Sequence, residues 1–465
     1  MIGLEDVLAG TGGTVAGTSP EGLPPVTFAH VTIDSRVVAP GDLFVAVRGE
    51  THDGHRFVPD AAARGARGAL VAAGRAAEFA GLAPDLILIE VDDPLAALGR
   101  LAAYWREKWP IPVIGITGSL GKSSTKELTA GVLGTRLRVL KSPKSYNNEY
   151  GLPLSVLLIG PETDVAVLEM GTYGPGELAH LSAIARQTVA VVTNVGHAHL
   201  ERMGSQEVIA QAKGELVAAL PADGTAVLNG DDPRVRAMAG LTMARVITYG
   251  YGEACDLRAS DLIDHGLGGL TFTLHWRGEA RTIERAPLLG AHSVYTALAA
   301  AATGLAVGLS FAEVAVALVL PHPAVRLLIV PGWNGATIID DSYNAAPASV
   351  LAALDILAKT PARRRLALLG DMLELGSYEE EAHRIVGRAV AAVVQRLLTI
   401  GPRAGIIADE AARAGLPRED IAEYARKEEV IAALRADLRE GDAVLIKGSR
   451  GLALEDVVAA LRKDR

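Results

Sequence analysis

The stretch Ile114-Gly-Ile-Thr-Gly-Ser-Leu-Gly-Lys-Ser-Ser124 joins an apolar run to a glycine-rich turn and then to basic and hydroxyl side chains. Residues 111–117 predict a buried parallel strand, and residues 122–134 have a helical composition that ends at glycine. Glycines in the turn would let backbone N–H groups converge on phosphate oxygens at the helix N-terminus. Lys122 would then neutralise the β and γ phosphates, and the hydroxyl of Ser123 would bind Mg²⁺.

The loop departs from the full Walker A pattern, which would need glycine at position 116, where this chain has Ile116. An ordinary strand-to-helix turn that happens to contain Gly-Lys-Ser is the alternative. Strand, turn and helix in the right order favour a phosphate-handling enzyme. The residues predicted to hold the nucleoside triphosphate here are Thr117, Gly118, Ser119, Leu120, Gly121, Lys122, Ser123 and Ser124.

The bulk composition indicates a multidomain globular protein. A chain of 465 residues exceeds one hydrophobic core and suggests about three domains with clefts between them. Hydrophobic residues make up 49% and charged residues 21% of the sequence, so we expect the whole chain to fold. A net charge of −9 without a sustained Lys/Arg cluster argues against nucleic acid as the main partner and remains compatible with small anionic ligands.

Two further features bear on location. The single cysteine, Cys255, cannot form an intramolecular disulfide, and the first ten residues lack a basic-then-apolar secretion signal. These features predict a cytoplasmic protein. The most apolar window, residues 295–320, is interrupted by small, polar and charged residues, so two packed amphipathic helices explain it better than a membrane span. We therefore expect no membrane insertion.

The order of predicted elements indicates an α/β fold in three domains. Short strands within 1–91 predict a small α/β N-terminal domain, and 92–322 predict a central P-loop domain with a doubly wound, mostly parallel sheet. A third alternating series over 323–465 predicts a Rossmann-like C-terminal domain. Such sheets bind ligands beyond the carboxyl ends of their strands. The strands predicted for the last two domains are 111–117, 165–169, 189–194, 226–229, 336–340, 365–370, 397–400 and 443–447.

Three ionisable residues of the central domain are candidates for chemistry. Glu169 ends strand 165–169, where a carboxylate near a phosphate loop could bind Mg²⁺, although such acids are more often solvated or capping groups. His199 follows strand 189–194, where a structural hydrogen-bonding role is the alternative. Lys213 lies on a predicted helix, and near Mg²⁺ its ammonium would be repelled, so it must either face phosphate or lose its positive charge.

Polar loops also follow three strands of the third predicted domain. Residues 338–347 crowd acid, hydroxyl and amide groups at a strand end, which is also what ordinary turns contain. The loops 369–376 and 446–450 occupy equivalent positions after their strands. Their shared position suggests that one side of this sheet faces a site.

Taken together, these motifs resemble the Mur ligase family nearly end to end. The matching motifs of the first two domains are IDSRVVAPGDLFVAVRGETHDGHRF (33–57), TGSLGKSSTKE, SYNNEYGLP (145–153), LEMG, GHAHLE, AKGE and LNGDDP (228–233). Those of the third domain are DDSYNAAP, LGDMLELG and KGSRG. These last motifs resemble the branch that adds D-alanyl-D-alanine, and the DNPR-type motif of the branch that adds the third amino acid is not found here.

The resemblance implies an activity in peptidoglycan precursor synthesis. ATP, a UDP-muramyl tripeptide carboxylate and D-alanyl-D-alanine would give an amide, ADP and phosphate through an acyl phosphate. The resemblance implies catalytic roles for Lys122, Glu169, His199 and Lys213. Ser123 and Glu169 would bind one Mg²⁺, while His199 and a carbamylated Lys213 would help hold a second. Carbamylation would convert the lysine into an oxygen-bearing anion and so resolve the electrostatic conflict.

The same resemblance assigns residues to the substrates. Arg326 and Asp341 resemble C-terminal residues that reach the phosphate and ribose of ATP when the third domain closes and excludes water. The residues implied for the UDP-muramyl peptide and the dipeptide are Asp34, Ser35, Arg36, Asn147, Asn148, Tyr343 and Asn344, the last two on the D-alanyl-D-alanine side.

Several positions depart from the family pattern. The family usually has His-Asn-x-x-Asn near the adenine, whereas this chain has Ser293 and Thr296 at the two asparagine positions. Leu120 in the glycine loop, Ser124 in place of the common threonine and Ala346 in DDSYNAAP are further differences. They suggest a divergent member with an altered nucleotide or amine preference, and none removes the phosphate loop.

Other interpretations stay open. Another Mur-type amide ligase with a different acid or amine is the nearest. A P-loop nucleotide switch would use the same loop, but it leaves the N-terminal motifs unexplained. A catalytically silent UDP-sugar-binding protein is opposed by the retained Lys122, Glu169 and Lys213. We expect a monomer that acts on small molecules.

Overall fold

The computed structural model describes residues 1–17, 25–49, 52–83, 85–196, 200–321 and 327–463. Within these ranges, mostly parallel sheets of five, nine and six strands follow one another along the chain, and a two-stranded ribbon lies at the N-terminus. Helices alternate with the strands throughout. The predicted α/β class with a doubly wound, mostly parallel central sheet is confirmed.

The first sheet is small and lies within the first ninety-one residues. The strands of this part are β1 (Ile2–Gly3), β2 (Thr14–Val15), β3 (Thr27–Phe28), β4 (Val31–Thr32), β5 (Leu43–Val45), β6 (Gly68–Ala72) and β7 (Ile87–Val91), and its helices are α1 (Leu4–Thr11) and α2 (Val58–Ala63). β1 pairs with β3, and the five-stranded sheet has the order β2-β7-β6-β5-β4. β2 is antiparallel to β7, and the other neighbours are parallel.

The nine-stranded sheet contains the glycine loop. Its strands are β8 (Val113–Thr117), β9 (Val139–Lys141), β10 (Val165–Glu169), β11 (Val189–Val192), β12 (Thr225–Asn229), β13 (Arg245–Gly250), β14 (Leu257–Asp264), β15 (Leu270–Trp276) and β16 (Glu279–Ala286). Its helices are α3 (Pro94–Glu107), α4 (Lys122–Leu133), α5 (Gly151–Val156), α6 (Glu177–Ala185), α7 (Leu200–Met203), α8 (Gln206–Ala218), α9 (Pro233–Ala237), α10 (Ser293–Val307) and α11 (Phe311–Val319). The order is β16-β15-β14-β13-β12-β11-β8-β10-β9, so β8 lies between β11 and β10. Strand order changes direction there, which is where open α/β sheets bind ligands.

The six-stranded sheet forms the last part of the described chain. Its strands are β17 (Leu328–Pro331), β18 (Thr337–Asp340), β19 (Arg365–Gly370), β20 (Arg396–Ile400), β21 (Ile421–Tyr424) and β22 (Ala443–Lys447). Its helices are α12 (Pro347–Lys359), α13 (Glu379–Ala391), α14 (Ala404–Arg413), α15 (Lys427–Asp437) and α16 (Glu455–Leu461). The order is β17-β18-β22-β19-β20-β21, with only the edge strand β17 antiparallel among the described strands.

Helix α3 joins the first sheet to the second. The side chain of Asp93 accepts hydrogen bonds from the N–H groups of Leu95 and Ala96, and proline stands in the first turn, so the start of the helix is well capped. Its buried face carries Leu98 and Leu101 into a core shared with α1, α5 and α6. The first two parts of the chain therefore pack around one continuous apolar cluster.

The apolar window 295–320 forms two helices, as expected. α10 ends at Gly308, whose φ of 107° suits glycine, and a capping box of Ser310 and Glu313 starts α11. α10 packs against α4, the helix that follows the glycine loop. Across the described ranges, no helix has both the length and the apolar character needed to cross a membrane.

The antiparallel extension β14–β15–β16 was not predicted. It adds three strands to one edge of the central sheet, and the hairpin between β14 and β15 contacts the C-terminal end of α12. Lys359 forms an ion pair of 2.8 Å with Asp264 at this contact. The limits of the three domains at positions 92 and 323 stay predictions.

Candidate active site

A cavity of about 1800 Å³ lies between the central and C-terminal sheets. The loops after β8, β10 and β11 line one side, and the loops after β18, β19 and β22 line the other. These loops leave the carboxyl ends of mostly parallel strands, where α/β folds place their ligands. The volume exceeds that of an ordinary single-ligand pocket, so more than one substrate has room to bind together.

The glycine loop is held in shape by residues that follow β11. Gly118 has a φ of 150°, and a Cβ atom built there would lie 1.8 Å from Thr193 Oγ1, so no larger residue fits. Asn194 accepts a hydrogen bond from the N–H of Leu120 (2.9 Å) and donates one to the carbonyl of Leu120 (3.0 Å). Lys122 Nζ donates to the Gly118 carbonyl at 2.7 Å, which places its ammonium over the loop.

Glu169 lies directly beside the start of α4. It is buried, and it accepts hydrogen bonds from Ser123 Oγ (2.7 Å) and from Asn147 Nδ2 (2.8 Å). Lys126 Nζ is 3.8 Å from the same carboxylate and donates to the carbonyls of Ser142 and Lys144. The carboxylate and the Ser123 hydroxyl form a hard-oxygen pair at the phosphate loop, a donor set that suits Mg²⁺ completed by phosphate and water.

Lys213, on α8, is a buried basic side chain and is not among the described residues that line the cavity. It is 2% exposed, and burial, followed by the nearby Lys122 ammonium, lowers its pKa to about 7. A substantial fraction of such a lysine is neutral near physiological pH, and the neutral amine can act as a nucleophile. The described residues contain no group of three or more His, Cys, Asp or Glu side chains that could hold a metal ion.

A second wall of the cavity lies at the start of α10. Ser293 lines the cavity, and its hydroxyl donates to the backbone carbonyl of Leu289 at 2.7 Å. Burial lowers the pKa of His292, and Asp341 opposes that shift. Tyr295 OH donates to Asp231 Oδ2 at 2.9 Å. His292, Ser293, Tyr295 and Thr296 line the cavity, and Ser293 and Thr296 are the positions where the sequence departs from the family's asparagines near the adenine.

The C-terminal side of the cavity is tied to the central side. Tyr343 and Ser145 share a hydroxyl–hydroxyl hydrogen bond of 2.7 Å across the cleft. Lys447, which is fully buried, donates to Asp341 Oδ2 at 2.5 Å and to the Asn344 carbonyl at 2.8 Å. Asp341 is thereby held at the cavity wall by a buried ion pair.

The structure brings most of the predicted site residues to one cavity. Those that line it are Ser119, Leu120, Gly121, Lys122, Ser123, Ser124, Asn147, Asn148, Glu169, Asp341, Tyr343 and Asn344. Thr117 ends β8 and is fully buried behind them, next to Gly118. His199 and Arg326 lie outside the described residues.

The predicted substrate residues of the first sheet stand apart from this cavity. Asp34 caps the short 3₁₀ turn Ser35–Val37 after β4, and none of Asp34, Ser35 and Arg36 is among the residues lining the cavity. Arg36 pairs with Asp34 at 2.8 Å, and its side chain is 84% exposed. A ligand that reached both places would have to extend along the surface of the first part of the chain.

Sequence reasoning missed several residues of the site. Asn194 was only the last residue of a predicted strand, Ser145 was quoted only inside a longer motif, and Lys126 and Lys447 were assigned no role. Asn194 follows the apolar strand β11, at the carboxyl end of the sheet where the glycine loop also lies. That position alone would have identified Asn194 as a candidate site residue. The contact of Ser145 with Tyr343 depends on how two sheets meet, and no local pattern reports it.

Three family descriptions match the chain. The Mur ligase family catalytic domain matches residues 27–106, the Mur ligase middle domain matches 116–304, and the Mur ligase glutamate ligase domain matches 325–450. A UDP-N-acetylmuramoyl-tripeptide–D-alanyl-D-alanine ligase of Synechocystis is 37% identical over 437 residues, which cover 93% of this chain and 91% of that protein.

Solved structures agree with the sequence matches. A crystal structure of MurF from Acinetobacter baumannii superposes with a TM-score of 0.85 at 27% identity and covers 98% of both chains. The structure of MurF ligase from Thermotoga maritima in complex with ADP gives a TM-score of 0.76 at 27% identity, covering 93% of this chain and 96% of that one.

Proposed function

This chain belongs to the Mur ligase family, and we propose that it is an ATP-dependent ligase that joins D-alanyl-D-alanine to UDP-N-acetylmuramoyl tripeptide, a step of peptidoglycan precursor synthesis. The observation that carries the proposal is that one cavity is lined both by the phosphate loop with Lys122 and by Asp341 and Tyr343 in the loop after β18. A nucleotide switch would have no use for such an arrangement in a chain matched from end to end by amide ligases.

The reaction has a clear chemical requirement. A carboxylate resists attack by an amine because it is anionic and lacks a good leaving group. Transfer of the γ-phosphoryl group of ATP to a carboxylate oxygen releases ADP and makes an acyl phosphate. The free amine of the dipeptide then attacks the acyl carbon, the tetrahedral intermediate expels phosphate, and the amine loses a proton to leave the amide. Catalysis of such a transfer rests chiefly on positioning and charge stabilisation.

Lys122 carries the first part of that task. Its ammonium lies over the glycine loop, and helix α4 begins at Lys122 directly after that loop. The β and γ phosphates bound there would therefore contact both a cation and a helix N-terminus. The residues Thr117 to Ser124 would surround the phosphates. Negative charge that develops between the γ phosphate and ADP would be offset by Lys122.

Ser123 and Glu169 fit one Mg²⁺, because their oxygens are already in contact at the phosphate loop. A magnesium ion supplies charge neutralisation to the phosphates when bound. Asn147 holds the other oxygen of Glu169, so the carboxylate keeps its orientation. His199 is proposed to help hold a second ion.

Lys213 is proposed to act as a carbamate. A neutral amine adds to carbon dioxide and loses a proton, which gives an anionic group with two oxygens. The lowered pKa of Lys213, about 7, makes the neutral amine available near physiological pH. The product would no longer repel Lys122 and would add oxygen ligands for a metal.

The remaining assignments follow the family. Asp341 and Arg326 are proposed to reach the ribose and phosphate of ATP, and closure of the cleft would protect the acyl phosphate from water. Asp34, Ser35 and Arg36 are proposed to bind the UDP-muramyl group. The proposed domains are 1–91, 92–322 and 323–465, and the proposed state is a cytoplasmic monomer.

One experiment tests the function. Purified protein is incubated with ATP, Mg²⁺ and a panel of UDP-muramyl peptides and amines, and the products are identified by mass. We expect ADP release and a new amide only when a UDP-muramyl tripeptide and D-alanyl-D-alanine are both present. Product from a different acid or amine would assign another amide ligase, and ADP release that ignores both substrates would assign a switch.

A further inference from the structure

Arg450 stands at the rim of the cavity, in the loop after β22. Its guanidinium lies 4.9 Å from the centre of the Tyr343 ring, and Nη1 donates to Glu455 Oε1 at 2.5 Å. The side chain remains 60% exposed and lines the cavity. Contact with the tyrosine ring restrains the position of the guanidinium, whose planar fork of N–H groups suits recognition of a planar anion.

The backbone that carries Arg450 is firmly held. Ser449 is buried, and its N–H donates to the Asp371 carbonyl at 3.0 Å. Its hydroxyl accepts a hydrogen bond from the N–H of Leu373 at 2.9 Å. Two loops of the last sheet are thereby joined directly before Arg450, so the guanidinium projects from a fixed base.

The other cations of the cavity have different surroundings. The basic Lys and Arg side chains among its described lining residues are Arg100, Lys122, Lys447 and Arg450. Lys122 belongs to the phosphate loop, and Lys447 is buried against Asp341. Arg100 donates to the Thr11 carbonyl and to Asp92, at the junction with the first sheet. Arg450 is thus the cation of this set that combines exposure with the C-terminal wall.

The amine substrate of the proposed reaction needs such a cation. A dipeptide with a free amine also carries a terminal carboxylate, about 7 Å from the amine when extended. If the amine faces the acyl carbon near the phosphate loop, the carboxylate points away from it toward another wall. A carboxylate enclosed without a partner is costly, whereas an arginine can bind it with two parallel hydrogen bonds.

We propose that Arg450 binds the terminal carboxylate of the incoming dipeptide and so selects amines that carry one. This inference rests on the proposed function, since it specifies the amine substrate of that reaction. Glu455 engages one of the five guanidinium N–H donors, which leaves donors for the substrate. Tyr343, which contacts Arg450, forms a hydrogen bond with Ser145 on the central side of the cavity. This bond restrains the position of Arg450 relative to the phosphate loop.

The test compares D-alanyl-D-alanine with its C-terminal amide, which keeps the amine and lacks the negative charge. We expect the original protein to show a KM for the amide about 10- to 100-fold above that for the acid. In Arg450→Gln the ratio of the two KM values should fall close to one, and Arg450→Lys should restore part of it. Arg435→Gln is the matched control, because Arg435 stacks on Trp333 at the same 4.9 Å outside the cavity lining.

The possible results distinguish a failure of the Arg450 role from a failure of the proposed ligase function. If Arg450→Gln keeps the original acid-to-amide ratio, whether or not both KM values rise, Arg450 does not read the carboxylate and the inference is wrong. If the original protein joins neither dipeptide to the UDP-muramyl tripeptide, the proposed function fails and the inference fails with it. Circular dichroism of Arg450→Gln confirms that a changed ratio comes from a folded protein.

Discussion

Replacing Lys213 by methionine should separate stability from activity, because burial of this amine opposes folding. Lys213 is 2% exposed, and its pKa falls from 10.5 to about 7, first through desolvation and then through the Lys122 ammonium. One pKa unit corresponds to about 1.36 kcal/mol. At pH 7 the depressed pKa therefore costs on the order of 4 kcal/mol of folding free energy. Methionine fills a similar space without a charge, so Lys213→Met should be more stable by an amount of that order.

The free energy of unfolding of the original protein should depend on pH through the Lys213 amine. The folded-state pKa is depressed, so between about 7 and 10.5 the unfolded chain binds more protons at Lys213 than the folded chain does. Stability of the original protein should thus rise with pH across that window, by about 1.4 kcal/mol per pH unit from this group. Lys213→Met lacks this pH-dependent contribution to the free energy of unfolding. Its advantage in unfolding free energy should shrink by roughly 2 to 3 kcal/mol between pH 7 and pH 9.

Urea unfolding of both proteins at pH 7, 8 and 9, in buffers purged of carbon dioxide, measures the difference. Purging keeps the amine from forming a carbamate, which would change its charge. Lys463→Met removes an exposed lysine and serves as the control, for which no slope is expected. In separate assays equilibrated with carbon dioxide, where the original protein can form the carbamate, ATP-dependent amide formation by Lys213→Met should be lower by at least about 100-fold.

Two results would refute this reasoning about Lys213. A difference in unfolding free energy that stays constant from pH 7 to pH 9 would show that burial does not depress the pKa of this amine. Lower stability of Lys213→Met at pH 7 would show that the lysine gains more from its surroundings than desolvation costs. Full activity of Lys213→Met would leave the stability argument intact and remove the carbamate proposal.

Three further substitutions test the cavity, each by steady-state amide formation with ADP release. Gly118→Ala places a Cβ atom 1.8 Å from Thr193 Oγ1, so kcat/KM for ATP should fall by about 10- to 100-fold, and an unchanged value would contradict the close packing of the loop. Lys122→Gln should lower kcat by about 1000-fold, and undiminished joining of the two peptide fragments would remove the phosphoryl-transfer mechanism. Tyr343→Phe deletes the hydroxyl bonded to Ser145 and should lower kcat/KM about fivefold, whereas no change would deny the link a role in the reaction.

The buried strands of the central sheet and the helix after the glycine loop could be predicted from the sequence. The strand and helix around the glycine loop were predicted at 111–117 and 122–134, and they occur at Val113–Thr117 and Lys122–Leu133. Continuous β-branched runs and a glycine-rich turn leave few alternatives for such a segment. The strand ending at Glu169 was predicted with the bounds observed, Val165–Glu169. Polar residues at these strand ends then identified one side of the candidate site.

The antiparallel strands β14–β16 show where the prediction fell short. Leu270–Trp276 alternates buried and half-buried residues, a period of two that is typical of a strand with one covered face. That signal was present but was not used. The ion pair between Lys359 and Asp264 could not be predicted, because Lys359 ends helix α12 and Asp264 ends strand β14, and these elements meet only when the central and C-terminal parts pack. Local sequence patterns predict individual strands and helices, whereas contacts between distant parts of the chain depend on how the whole fold packs.

The buried lysines around the cavity show how an acidic protein can bind anions. The net charge of −9 would repel a triphosphate at long range, yet Lys126, Lys213 and Lys447 are among the largest fully buried side chains. Lys126 is compensated by two carbonyls and by the carboxylates of Glu127 and Glu169, and Lys447 by an aspartate and a carbonyl. Lys213 is relieved instead by a lowered pKa. Lys122 differs from these three in lining the cavity at the phosphate loop, where its ammonium would offset charge on the phosphates of a bound nucleotide.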